Sequence, residues 1–375
     1  MTAVVPGSGS ATVAPPSRTA RPVVWWAVLG AVYLAVTAFV IIRWVTGPYF
    51  ELVPTGPTPV PTYMKVAIMA FQICSIPVAL LLVYRTVIRP WRRERRVAAD
   101  GLIILATCTM WFQDPMSAYG GHWFTYNSWA FNRGSWVNSV PGWLSFGEPS
   151  RMLVEPFLIV CGAYVYVFAI STAVGCALLR RLSTRWPGIG KLGMLAVCFV
   201  VMFFVDIVIE GMVFMPFGVW EYAGGHWKIF GDRYFAFPIH EALCASAAFT
   251  LVAALRFFTD DRGQLVTERG ADRLRLGERS RLLVRALSTV GAVNAIFFVC
   301  YNLPHTWVGL HSTEWNKDFV SRSYFTNGLC GDGTDRACPG PGVPNIRNGG
   351  AYVTPDGRVV LPEGATIPKQ VPFDR

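Results

Sequence analysis

Five ionisable residues stand in or beside segments otherwise too apolar to hold charge. Asp206 and Glu210 are four apart in a run of Val, Ile, Phe and Met, which puts both carboxyl groups on one face of a helix. His240 and Glu241 follow Pro238 at the head of another apolar run, and Asp114 closes a third. Asn294, Tyr301 and Asn302 lie on a fourth. Ionisable side chains in such segments are costly and usually face a cavity or a partner. Clustered carboxyl groups in a low-dielectric site have their pKa values pushed apart, so one stays protonated near neutral pH and can act as a general acid. That reading is favoured. Three others use the same residues. The groups can satisfy one another and fix helix packing. Asp206, Glu210, His240 and Glu241 can offer oxygen and nitrogen donors to a divalent ion, although no His-x-x-His or Glu-x-x-His pair accompanies them and no metal ligand is assigned. They can also line a transport pathway, although no inverted repeat is visible.

The elements that must position these residues follow from hydropathy. Of 375 residues, 53% are hydrophobic and only 15% charged, with a mean hydropathy of +0.40. Soluble domains run nearer about 25% charged. A membrane span needs about 20 apolar residues, and on that rule the fold class is an all-α membrane protein, a polytopic bundle of about seven transmembrane helices. The expected spans are 23–45, 63–88, 101–119, 154–179, 192–217, 237–258 and 284–303, together a transmembrane domain over 21–303. Residues 1–20 read as a disordered cytoplasmic N-terminus and 304–375 as an extracytoplasmic tail. The third span is short in strictly apolar residues (Gly101–Phe112), and as a re-entrant segment it would reverse every later orientation.

Loop charge argues for keeping it. The net charge is +10, and 20 of the 33 Lys and Arg residues fall before the first span or in the second, fourth and sixth connections. Basic residues collect on the cytoplasmic side, which makes this a multi-pass cell-membrane protein with its N-terminus inside. No basic stripe or motif points to nucleic acid. The expected partners are the bilayer and a lipophilic small molecule. With these directions Asp114, Glu210, His240, Glu241 and Asn302 converge on one outer level, with Asp206 just beneath. Above them lies loop 113–153, where Trp123, Trp129, Trp136 and Trp143 alternate with Asn127, Asn132 and Asn138. Disordered loops are poor in aromatics, so this one is expected to fold as a cap over a cavity. Seven of the nine Cys lie in apolar runs; Cys330 and Cys338 lie in the polar tail, on the oxidising side, and are expected to form a disulfide.

The loop also carries a likeness. Asp114-Pro115, Tyr119, Tyr126-Asn127, Asn132, Gly134-Ser135-Trp136 and Pro141-Gly142-Trp143 resemble the AveC-type spirocyclase family, membrane proteins named after an enzyme of avermectin biosynthesis. The segments GVWEYAGG, FPIHEAL and YNLPH fit the same family, so the likeness spans roughly residues 20–330; Ala118 stands where the family often carries Asn. A shorter run, Gly218-x-Trp220-x-Tyr222 followed by Pro238 and Glu241, is similar to membrane-bound lycopene cyclases.

The resemblance implies a bacterial secondary-metabolism cyclase that closes a ring on a polyketide-like or lipid substrate, without redox chemistry or cofactor. Spiroketal formation needs a proton donor for a departing oxygen and stabilisation of an oxocarbenium-like cation. Glu241 or Glu210 is expected as the acid and Asp206 or Asp114 as the stabilising carboxylate. Tyr119, Tyr126, Asn127, Asn132, Trp136, Trp220, Tyr222, His240, Tyr301 and Asn302 are expected to line the substrate cavity. The non-enzymatic alternative is a lipid-binding or scaffold membrane protein.

Overall fold

Six helices are long and apolar enough to cross a membrane: α1 (Pro22–Val45), α2 (Thr62–Glu94), α5 (Phe157–Arg185), α6 (Gly190–Phe214), α7 (Ile239–Phe257) and α8 (Glu278–Leu310). A computed structural model describes residues 22–118, 121–143, 153–231, 233–344 and 350–366; the expected N-terminal lead, 1–20, lies outside them. The chain is mostly helical, and its outward side chains are those of a membrane protein: Val32, Ile42, Val66, Leu80, Val200 and Phe204 all stand exposed.

The third expected span is not one continuous helix. It divides into α3 (Ala99–Thr107), a single 3-10 turn over Met110–Gln113 and α4 (Asp114–Ala118). Local chemistry explains the break. Thr107 and Thr109 turn their hydroxyls onto the carbonyls of Ile104 and Ala106, at 2.9 and 2.7 Å, and such back-bonding competes with the helical ladder. Asp114-Pro115 then restarts a helix in which the missing proline N–H costs nothing. Broken backbone at membrane depth is tolerated where protein surrounds it. Most of α3 is buried, and α8 supplies the polar partners: Gln113 Nε2 donates to Asn294 Oδ1 (2.8 Å), Asn294 Nδ2 to Thr109 Oγ1 (2.8 Å) and Asn302 Nδ2 to Gln113 Oε1 (2.7 Å).

The broken segment starts beside the end of α7. At its start, Asp100 accepts two bonds from Arg256 at the end of α7, at 2.5 and 2.9 Å. Lys191, at the start of α6, lies over the ring of Phe258. The basic connections after α2, α5 and α7 therefore share that end. The last of them is partly packed against the bundle. Leu265, Thr267, Glu268 and Ala271 are buried, and Glu268 receives Arg285 Nε at 2.6 Å.

Three helices carry wide π-helical segments: Tyr84–Ile88 in α2, Ile207–Phe214 in α6 and Phe298–Asn302 in α8. Each is followed two residues later by a proline, Pro90, Pro216 or Pro304. A proline lacks the N–H for the i to i−4 bond and its ring crowds that carbonyl. Widening by one residue relieves the clash without ending the helix. This is why α8 continues past the expected boundary at residue 303 to Leu310.

The far end of the bundle is closed by the segments between helices, tied by short antiparallel pairs. β1 (Thr125–Tyr126) pairs with β2 (Trp220–Glu221), and β3 (Lys228–Ile229) with β4 (Phe237–Pro238). Elsewhere α1 and α8 approach backbone to backbone at Gly30 and Gly291, where an added Cβ would lie 2.1 Å from Leu287 O and 2.2 Å from Trp26 O respectively. Neither helix can retreat without emptying the contact. Gly291→Leu is expected to cost about 1–3 kcal/mol by overpacking, read as a lowered unfolding midpoint of the purified protein in lipid nanodiscs; an unchanged midpoint would contradict this packing.

Candidate functional site

Two of the widened segments carry site residues. Asp206 is the last residue before the π segment of α6, and Glu210 lies within it, its carbonyl accepting the N–H of Met215 five residues on at 3.0 Å. Pro238 ends β4 and aims the first turn of α7, which carries His240 and Glu241. The result brings one carboxylate oxygen each from Asp206, Glu210 and Glu241 within 4.8 Å of one another. Asp206 and Glu241 are fully buried, and among the described residues neither carboxyl group has a conventional hydrogen-bond partner. They face each other, with Tyr301 next to Glu241. Glu210 is half-buried and receives a long bond, 3.4 Å, from Tyr222 Oη. Three carboxyl groups so close need protons or a cation between them. An oxygen-only set of this kind suits a hard divalent ion as well as it suits shared protons.

A cavity of about 90 Å3 opens beside this cluster. Glu210 lines it from α6, while Asp206 and Glu241 stand behind Glu210. Across the space is Asp114, which accepts Tyr126 Oη at 2.9 Å and Tyr164 Oη at 2.7 Å and has the Glu155 carboxyl group beside it. Tyr126, Trp220, Tyr222 and Tyr301 present aromatic faces or hydroxyls, and Phe168, Phe249 and Phe297 form the floor. No Lys or Arg lines the cavity among the described residues.

His240 is buried but lies behind the wall, its ring 5.4 Å from that of His305 and 6.0 Å from that of Trp123. His305 is buried and lines the cavity, its ring 4.7 Å from that of Tyr301.

Several residues expected at the cavity are elsewhere. Trp136 packs in a separate cluster against Trp44 and Trp111 and donates to Phe112 O at 2.8 Å. Asn127 latches the cap, with Nδ2 on Gly218 O (3.0 Å) and Oδ1 accepting from Trp129 N (3.0 Å). Asn132 accepts from Val53 N at 3.0 Å and donates to Ser128 O and Ala130 O. Asn302 is spent on Gln113. The amides in the loop thus satisfy backbone that strands and helices do not. Tyr119 lies outside the described residues. Glu155 and Tyr164 were missed. Glu155 opens an apolar run as Asp114 closes one, so the same signal was present; Tyr164 gave none, being one tyrosine in a hydrophobic helix.

A family model described as "Spirocyclase AveC-like" matches residues 94–325. The chain belongs to the AveC-like spirocyclase family. No curated protein and no solved structure matches it. The matched span takes in Asp114, Glu155, Asp206, Glu210 and Glu241 and the whole cavity lining.

In this AveC-like chain the roof is locked by the expected disulfide and by charged residues the sequence did not single out. Arg322 grips the buried Glu221 through Nε (2.9 Å) and Nη2 (2.5 Å), and Asn316 Nδ2 adds a third bond at 2.7 Å. Glu221 is the residue after Trp220 in β2, so the pair ties the tail to the cavity wall. Lys228 donates to Tyr222 O and Asn316 Oδ1, both at 2.6 Å; burial pushes its pKa down to about 8. A disulfide joins Cys330 to Cys338, and Cys330 Sγ lies 3.4 Å from His122 Nδ1. Residues 311–344 are therefore a part of the cap and not a loose tail. Arg322→Met would leave Glu221 buried without its charge partner, expected to cost about 3–5 kcal/mol. Limited proteolysis should then release the segment after Leu310; wild-type resistance would show that the ion pair does not hold the roof.

Proposed function

We propose that this AveC-like chain is a membrane-embedded cyclase that closes a ring on a lipophilic hydroxy-ketone by acid catalysis in the capped cavity. The observation that carries the reading is the facing of Glu210, backed by Asp206 and Glu241, against Asp114 across a space lined by aromatic rings. In the reaction one substrate hydroxyl adds to the ketone carbon, giving a hemiketal. Glu210 gives its proton to the hemiketal hydroxyl, which leaves as water. The cation that remains is spread between carbon and oxygen, and the Asp114 carboxylate and the faces of Tyr126 and Trp220 stabilise it. The second hydroxyl then attacks the same carbon, and its proton returns to Glu210. Asp206 and Glu241 hold further protons behind Glu210. Folding the diol in the cavity supplies proximity, and the roof keeps water from capturing the cation.

The same proposal gives the chain seven crossings, the broken segment being the third, with the N-terminus cytoplasmic and the roof outside. It is supported by the basic connections, which gather at the end where α3 starts. Reporter fusions at positions 95, 185 and 270 should read cytoplasmic, and those at 130, 225 and 340 external. The reverse pattern at 130 and 340 would end the proposal.

Glu210→Gln, Glu241→Gln, Asp206→Asn and Asp114→Asn are each expected to lower turnover of a ketodiol by about 10²–10⁴-fold, the usual contribution of general acid catalysis. Four folded variants with wild-type turnover would refute the site. Variants that lose their fold along with activity would favour a scaffold. The approach of Asp206, Glu210 and Glu241 favours one second reading, a divalent-ion centre acting as Lewis acid. Metal analysis of the purified protein separates the two: one bound ion per chain, with activity lost on chelation, would replace proton donation by metal catalysis.

A further inference from the structure

A second hollow lies against the first. It is a groove of about 320 Å3 among α2, α5 and α6, opening outward from the bundle. Its rim residues Val78, Ile170 and Val213 are 40%, 50% and 39% exposed, so in a membrane they meet hydrocarbon. No charged side chain lines it among the described residues. Its two hydroxyls, Ser75 Oγ and Tyr166 Oη, are bonded to each other at 3.2 Å and ask nothing of an occupant.

Groove and cavity share three wall residues, Val167, Ile209 and Phe214. The partition is thus one side chain thick. Phe214 is a plate between the two hollows: its ring lies 4.9 Å from Phe71 on the groove side and 5.0 Å from Trp220, stacked, on the cavity side. The α2–α5 contact cannot serve as the opening, because Gly162 meets Ser75 backbone to backbone and an added Cβ would lie 2.5 Å from Ser75 O. The α5–α6 seam can. Its α6 side is the π segment Ile207–Phe214, whose irregular bonding resists local movement less than an α-helix does.

We propose that the seam closed by Val167, Ile209 and Phe214 is the passage by which one hydrocarbon chain of a membrane-dissolved molecule enters the cavity sideways from the bilayer. The occupant is a single alkyl or isoprenoid chain, because the groove is apolar apart from two hydroxyls bonded to each other and only one layer of side chains divides it from the cavity. The inference rests on reading that cavity as a site for a lipophilic substrate.

The test uses the full chain in nanodiscs that contain a phospholipid with a diazirine at the end of one acyl chain, or the free fatty acid with the same group. After photolysis, adducts are mapped by peptide mass spectrometry. Adducts are expected both at the rim, on Ile170 and Val213, and inside, on Tyr164 and Phe249. Ile209→Trp and, separately, Val167→Trp should lower the inner adducts about tenfold, or ~1.4 kcal/mol in occupancy, and leave the rim adducts unchanged. Phe214→Ala removes the plate and should raise the inner adducts, which keeps the test decisive if a tryptophan variant does not fold. The two probes tell a two-chain lipid from a free chain. Absence of inner adducts with both probes, or inner adducts indifferent to all three substitutions, overturns the passage. Because labelling needs no turnover, the passage can stand while the cyclase reading falls, and the reverse.

Discussion

Asp114, Glu155, Asp206 and Glu241 are buried in the bundle, and the rest of the structure answers to that constraint. A carboxyl group in a medium of low dielectric must share a proton, take a donor or lose its solvation energy. Asp114 takes two tyrosine hydroxyls and a neighbouring Glu155. Asp206 and Glu241 have each other and Glu210, with Tyr301 beside Glu241. Keeping such groups dry requires a roof, and the roof in turn contains Glu221, whose charge is met by Arg322. Each buried acid thus has its own local answer.

Helix geometry carries the second part of the design. Prolines two residues beyond each π segment keep three helices from being regular. In α6 and α8 the irregular stretch is also where Glu210 and Tyr301 project. An ordinary α-helix would set Asp206 and Glu210 one above the other on a single stripe. The wider turn rotates Glu210 relative to that stripe, so Glu210 faces the cavity while Asp206 stays behind.

The legible parts of the sequence were those with strong contrast. Long apolar runs announced six helices, and acidic residues stood out against them: Asp114, Asp206, Glu210 and Glu241 were all visible for that reason. The broken segment was harder, because its continuity depends on Asn294 and Asn302 of a helix far along the chain. The loop amides misled for a related reason. Asn127 and Asn132 are polar among aromatics whether they meet a ligand or bond the backbone, and only tertiary contacts tell these apart. Pro90, Pro216 and Pro304 were plain in the sequence, yet their effect, a widened turn and not a helix end, depends on packing. Glu221 and Arg322, 101 residues apart, carry no local pattern at all.

The ion pair between β2 and the tail also bears on the order of assembly. Arg322 follows every long helix in the chain, and Cys338, which closes the disulfide, comes later still. When α8 is complete, the segments between the helices that close this end are already in the chain, but the arginine and the disulfide that fasten the last part of the roof are not. The lock on the cavity wall is thus the last part of the site to be made as the chain is synthesised.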